Sequence, residues 1–314
     1  MLTYLVKRLM ISIVVLLGIA FLSFLIIHAV PGDPAKIQLG VHATPEAVEH
    51  LHKQWGLDKS WPEQFWLYLG NIVTFNFGQS TAFSTGVAEL IGDRVGPTAL
   101  LLVYGILIAL VIGVPLAIVA AVRQGGWVDN AIRVLTTFTF AMPPFWLGLM
   151  LALLLGFELK LFPVSGYETG ISGILRTLTL PALTIGLGLL VIVVRNLRAN
   201  LVTVLQSDYI EAVRARGYSE LRVVGKHAMR NSIIGVITIL ASLFGFFVGL
   251  LVLVESVFQI PGAGTLLVQG VAKRDYKLVQ TLVFLSGAVV VVIGFFTDVL
   301  YAWLDPRIRL GGRS

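Results

Sequence analysis

Cysteine is absent from this 314-residue chain. That excludes disulfides, thiolate metal sites and cysteine nucleophiles, and leaves the redox compartment open. Charge is scarce as well. Charged residues make up 13% of the sequence, about half the ~25% of an ordinary soluble domain. Hydrophobic residues make up 57%, and the mean hydropathy is +0.89. A soluble fold of this length would have to leave much of that surface facing water, which soluble monomers rarely do. A soluble enzyme, a disordered chain and a fibre are therefore all excluded. Also missing are the period-2 alternation of a membrane barrel, internal repeats and low-complexity tracts. The composition is that of an all-α integral membrane protein.

Sequence signatures of catalysis are equally scarce. The string nearest to a phosphate-binding loop is Gly225-Lys226-His227. It has Glu220 where the first glycine belongs and no Ser or Thr after the lysine. No Gly-x-Ser-x-Gly or His-Glu-x-x-His occurs. Gly262-Ala263-Gly264 lacks the third glycine of a dinucleotide turn. The histidines are His28, His42, His50, His52 and His227. On a helix His50 and His52 point to different faces, so a metal site with His42 and Glu49 needs an irregular segment. Solvated surface histidines are the simpler reading. No paired nucleophile and base is present for an intramembrane enzyme.

Six stretches are apolar enough and close enough to 20 residues to cross a bilayer: 9–30, 98–122, 134–157, 178–194, 233–258 and 279–304. The first is too long for a signal-peptide core and is followed by Pro31, so it reads as a retained helix. An even number of spans puts both termini on one side. That side, with loops 123–133 and 195–232, holds 14 Lys/Arg against 5 Asp/Glu; the other holds 9 against 10. The positive-inside rule makes the termini cytoplasmic. The net charge of +6 reflects this asymmetry, and no nucleic-acid motif accompanies it.

Three parts follow: a first helix (1–30), an outer segment (31–96) and a five-helix core (97–314) containing the long basic loop 195–232. The outer segment has an acidic excess and three helix-like stretches. Thr44-Pro45-Glu46-Ala47 starts one, 62–75 is aromatic-rich, and 87–95 is the third. Together they predict a small helical cap. Pro115, Pro143, Pro144 and Pro181 predict bent spans. Gly245 and Gly249 form a small-xxx-small pair that admits a close neighbour, and Gly186 and Gly188 mark the fourth span. Glu255 and Asp298 lie inside spans, where ionisable groups are functional candidates by default. Each either lines a polar pathway or pairs with a polar neighbour.

The basic loop contains Asp208-Tyr209-Ile210-Glu211-Ala212-Val213-Arg214-Ala215-Arg216-Gly217-Tyr218-Ser219-Glu220, then Lys226-His227-Ala228-Met229-Arg230-Asn231. Elsewhere, in order, stand Val30-Pro31-Gly32-Asp33-Pro34-Ala35, Trp55-Gly56-Leu57-Asp58, Phe77-Gly78-Gln79-Ser80 and Pro144-Phe145-Trp146-Leu147-Gly148. Phe162-Pro163-Val164-Ser165-Gly166, Phe258-Gln259-Ile260-Pro261-Gly262-Ala263-Gly264 and Arg274-Asp275-Tyr276 follow. The last string runs from Asp298-Val299-Leu300-Tyr301 through Leu304-Asp305-Pro306-Arg307-Ile308-Arg309. The ordered set, spanning nearly the whole chain, resembles the permease subunits of ABC importers of the oligopeptide/dipeptide branch, and the basic loop is similar to their "EAA" loop. Val213 departs from the second alanine of that motif, Gly235 from a following proline, and Phe75-Asn76 from a Gly-Asp pair.

The resemblance implies a type I importer fold in a prokaryotic inner membrane, with no catalysis and no cofactor in this chain. It further implies a second, homologous permease and two cytoplasmic ATPase subunits that hold ATP and Mg. An extracytoplasmic binding protein would deliver a cargo that is most often a peptide, though relatives move nickel, glutathione or oligosaccharides. Tyr209, Glu211, Ala212, Arg214, Ala215, Arg216, Gly217, Ser219 and Glu220 would form the ATPase-coupling segment. Gly186, Gly188, Gly245, Gly249, Glu255 and Asp298 would lie at the pathway or permease interface. The competing expectation is a stand-alone carrier or channel using Glu255 and Asp298.

Overall fold

The computed structural model describes residues 2–29, 32–40 and 43–304, and among these it is helical, with one isolated bridge between Gln79 and Gly86. His42, Pro31 and the 305–309 motif lie outside the described residues. The chain divides into two compact units, one of residues 1–96 and 262–314 and one of residues 97–261.

In the first unit the long helix α1 (Leu2–Ala29) is followed by three shorter helices, α2 (Pro34–Leu39), α3 (Pro45–Trp55) and α4 (Trp61–Val73), in the segment expected to form a cap. Their starts follow from the sequence. Thr44 Oγ1 accepts from the Ala47 N–H with Pro45 at the first helical position. Glu63 accepts from the Ser60 N–H at 3.0 Å, a capping-box arrangement. Gly56, at φ +69°, closes α3 in the left-handed region that favours glycine. Asp33, from the Pro-Gly-Asp-Pro string, caps α2 through the Ala35 N–H at 3.0 Å and meets His52 Nε2 on α3 at 2.8 Å.

Burial alone would raise the Asp33 pKa, but the His52 and Ala35 hydrogen bonds outweigh it, so the carboxyl titrates below its ordinary 3.8. A depressed folded value means the stabilisation is present above the unfolded value and is lost as pH falls through the folded one. Hydrogen exchange of α2 and α3 should therefore accelerate as pH drops below about 4, after correction for intrinsic rates. Asp33→Asn should begin accelerated and stay flat; identical profiles would exclude this role.

The cap is tied to α1 by aromatic and polar contacts. Phe65 stands edge-on to Phe21 and Phe24 at 5.6 and 5.5 Å. Tyr68 Oη shares a 2.8 Å hydrogen bond with the buried Ser23. The chain returns to this unit at α13 (Ala263–Ala272) and α14 (Tyr276–Leu304). α14 packs along α1, with Gly287 so close to Ile19 that a Cβ would come within 2.8 Å.

α5 (Val87–Val122) opens in the first unit and continues into the second. The 87–95 stretch is thus the start of a 36-residue helix and does not form a separate cap helix. Pro97 and Pro115 lie inside it, and Pro181 lies inside α8. By contrast, the Pro143-Pro144 pair interrupts its helix. Two missing N–H groups and an extended Met142 (ψ 129°) separate α6 (Trp127–Ala141) from α7 (Pro144–Leu151), which a π-helical turn extends to Glu158. Their axes differ by 102°.

α8 (Gly170–Leu205) is the core of the second unit, with Leu178, Leu180, Ile185, Leu189, Val193 and Leu197 buried. It crosses α5 through small residues. A Cβ on Gly105 would meet Ile185 at 2.9 Å, and one on Gly186 would meet Ile108 at 2.9 Å. After α9 (Asp208–Ala215), the one-turn α10 (Glu220–Arg222) and a π-helical turn (Val223–Ala228) come α11 (Met229–Ser242) and α12 (Phe244–Phe258). The last two are bent by 58°. In the described residues four helices are long and apolar enough to cross a membrane, and up to six if each bent pair is one span.

Candidate functional site

The basic segment 195–232 leaves α8 at Leu205 and turns into α9 at Ser207, whose carbonyl accepts from the Ile210 and Glu211 N–H groups. α9 is amphipathic. Ile210 and Val213 are buried, and they pack with Val223 and Ala228 against Val193, Leu197, Leu201, Ala117 and Ala121 of α8 and α5. The nine residues that the EAA resemblance marks lie on the other side: Tyr209, Glu211, Ala212, Arg214, Ala215, Arg216, Gly217, Ser219 and Glu220 are all exposed.

Gly217 makes the turn between α9 and α10. Its φ is +80°, its N–H donates to the Arg214 carbonyl at 2.9 Å, and a Cβ would meet nothing within 4 Å. Glycine is therefore favoured here by backbone conformation and not by space. Arg214 grips Glu220 through Nε at 2.8 Å and Nη2 at 3.3 Å. That fork pushes the guanidinium pKa up, though an exposed pair of this kind contributes little stability. His227 shares a 2.8 Å hydrogen bond with Tyr209 and lies 5.4 Å from the Tyr218 ring. Tyr209, Tyr218 and Leu221 are 49%, 40% and 87% exposed. The result is a polar, cationic ridge with three apolar side chains standing on a buried footing.

The proposed pathway residues do not converge. Gly186 is buried against Ile108 and the Gly105 carbonyl, whereas Gly188 and Gly249 border open space and Gly245 is exposed. Glu255 is fully buried and accepts from Thr98 Oγ1 at 2.6 Å. Asp298 pairs with Arg8 across α1 and α14 at 3.1 Å. Gly235, standing where a proline is usual, lies against the Asn200 side chain, so α11 approaches α8 closely there.

Two constellations were not legible in the sequence. Asp129, counted as a loop charge, is fully buried on α6 and takes Arg198 Nε and Nη2 of α8 at 2.6 and 2.5 Å. In the first unit, buried Asp275 takes Ser80 Oγ at 2.5 Å, the Ala82 N–H at 3.1 Å and the Leu278 N–H at 3.1 Å. Ser80 and Asp275 belong to two of the strings quoted above, and only the fold joins them. No group of three His, Cys, Asp or Glu side chains among the described residues is arranged to hold a metal.

Known proteins match this chain over nearly its whole length. The model of the binding-protein-dependent transport system inner membrane component matches residues 113–310, and the N-terminal model of such membrane components matches residues 1–99. A protein of Brucella suis biovar 1 whose name describes it as a peptide permease is 37% identical over 318 residues, covering 99% of this chain and 100% of that one. The glutathione transport system permease protein GsiC of Pectobacterium atrosepticum is 38% identical over 309 residues, 98% of this chain and 99% of its own. In a structure of the MetNI methionine ABC transporter in inward-facing conformations, one chain superimposes with a TM-score of 0.58. It covers 69% of this chain and 97% of that one at 18% identity, which shows a shared fold. The protein is therefore a non-catalytic inner membrane subunit, and it belongs to the binding-protein-dependent transport system inner membrane component family.

Proposed function

We propose that this chain is one of two permeases of an ATP-driven importer for short peptides, with glutathione within the same chemical class. Each bent helix pair counts as one span, giving six, with both termini cytoplasmic. Residues 1–30 are the first helix, 31–96 the outer cap and 97–314 the transport core. A binding protein delivers cargo from outside. ATP and Mg reside in two cytoplasmic partners, and this chain holds no cofactor.

The observation that carries the reading is the ridge on α9 and α10. Tyr209, Tyr218 and Leu221 are exposed in a segment otherwise rich in charge, which marks a partner surface. Arg214, Arg216 and Arg222 suit an acidic rim around the partner's groove. The footing supplies the mechanism: Ile210 and Val213 are packed on α8 and α5, so displacement of α9 moves buried side chains of both long helices. The helices then switch between two packings as the ATPase dimer closes and opens, a two-state change biased by differential contacts. Gly188, Gly245 and Gly249 border space that a second permease can fill; Gly186 is used within the chain. A stand-alone carrier running on Glu255 and Asp298 has no comparable support, since each is held by a neighbour, Thr98 and Arg8 respectively.

The natural absence of cysteine makes the test clean. A single cysteine replacing Leu221 should cross-link to the ATPase, and one replacing Gly249 to the other permease, with yields that change between nucleotide-free and ATP-trapped complexes. Leu221→Cys giving no ATPase adduct in any state would overturn the coupling surface. Gly249→Cys linking only within the chain would overturn the permease interface.

A further inference from the structure

The first unit contains a cavity of about 760 Å³ between the cap, the outer part of α1 and the start of α14. That size lies in the range, roughly 300–1,000 Å³, of sites for small ligands. Its lining is unusual in charge: it includes Lys277 and no Asp or Glu. The Lys277 ammonium lies 4.6 Å above the Trp55 ring and passes Gly78, where a Cβ would be 3.5 Å from it. The nearest carboxylate in sequence, Asp275, already accepts from Ser80, Ala82 and Leu278. Lys277 therefore presents a half-buried positive charge to the cavity with no ion-paired neighbour on the wall.

The polar groups around it are peptide-like and uncommitted. Gln64 is used up by His28 and by the Leu57 and Lys59 carbonyls. Gln54, Asn71, Gln79 and Gln280 also line the cavity, and their side-chain amides have no hydrogen bond among the described residues. Gln280 is the informative one, because it is only 5% exposed. Beside it on the same wall, the Tyr276 hydroxyl is buried with no hydrogen-bond partner among the described residues, a desolvated group that a ligand offering donors and acceptors can satisfy. Primary amides match the N–H and C=O groups of a peptide backbone. Phe24, Tyr68 and Phe77 supply apolar wall.

We propose that this cavity binds a short peptide by its free C-terminal carboxylate, with Lys277 as the anionic anchor and Gln280 as a backbone reader. The proposal rests on the peptide cargo reading and places a cargo contact on the cap side of the chain. Isothermal titration calorimetry of the full-length protein in nanodiscs, with trialanine and with trialanine amide, tests it without any mutation. The free acid should bind about tenfold or more tightly than the amide, as expected for a lost charge-assisted hydrogen bond. Lys277→Met should abolish that difference, Lys277→Arg should keep part of it, and Gln280→Leu should weaken both ligands. Equal affinity for acid and amide, or an unchanged preference in Lys277→Met, would overturn the site. Uptake by the assembled transporter is measured separately. Peptide uptake without acid preference sinks this site alone. Acid preference without peptide uptake sinks the cargo reading and leaves a carboxylate site.

Discussion

In the proposed importer, Gly217→Val is expected to leave the protein inserted and able to bind the partner ATPase weakly, while substrate-stimulated ATP hydrolysis falls by about tenfold or more. The reason is local. Gly217 holds φ +80° with open space around it, so a side chain there meets strain from the backbone alone. For a β-branched residue the left-handed region is a genuine outlier, costing about 1–3 kcal/mol. The turn relieves that strain by opening, which rotates α10 away from α9 and separates Leu221 and Tyr218 from Tyr209. Asn tolerates the same region, so Gly217→Asn should retain most coupling. The pair of variants separates conformation from bulk. Normal stimulation in the valine variant, measured on proteoliposomes with loaded binding protein, would remove the α9–α10 turn from the mechanism.

The second large effect is expected at the ion pair between α6 and α8. Asp129 is 0% exposed and the Arg198 side chain is 19% exposed, so removing one partner strands a charge in a poorly hydrated place. Asp129→Ala should destabilise the second unit by about 3–5 kcal/mol, the cost of an uncompensated buried charge. The Gly125 N–H, which donates to Asp129 Oδ2 at 2.9 Å, also loses its acceptor. Asp129→Leu combined with Arg198→Met should recover most of that loss, because replacing both charges with apolar groups is often neutral. Thermal unfolding of the detergent-solubilised variants measures both. A double variant no more stable than Asp129→Ala would show that the loss comes from packing and not from the stranded arginine.

These two sites differ in how far they could be read from the chain. The turn between α9 and α10 was legible because its residues are contiguous: the Arg-Ala-Arg-Gly-Tyr string names its own glycine, and Gly217 holds φ +80°. Asp129 and Arg198 are 69 positions apart, and nothing local distinguishes Asp129 from a solvated loop acid. The membrane-length helices and the bent helix pairs were visible as apolar runs, since hydrocarbon selects composition. Their breaks were only half visible. Pro143-Pro144 advertises its bend through two missing donors. The 58° bend at Leu243 has no proline to announce it. The separation of 87–95 from the following span was misleading in the opposite direction: α5 runs through both, with Pro97 inside it. Glycine spacing likewise indicates that helices approach closely, but not which ones. Gly186 faces Ile108 within the chain, and Gly188, two residues on, faces open space.

The Ser80–Asp275 hydrogen bond has a consequence for the order in which the protein is made. Its partners are 195 residues apart, and the first unit is assembled from residues 1–96 together with residues 262–314. At roughly 5–20 residues per second, the ribosome needs about ten to forty seconds after Ser80 to deliver Asp275. During that interval α1 has neither α14 to lie against nor Asp298 for Arg8, and Trp55 at the end of α3 lacks the Lys277 ammonium that covers its ring. The newborn cap must wait, half built, for the last helix to be translated, and a stalled or truncated message leaves it in that state.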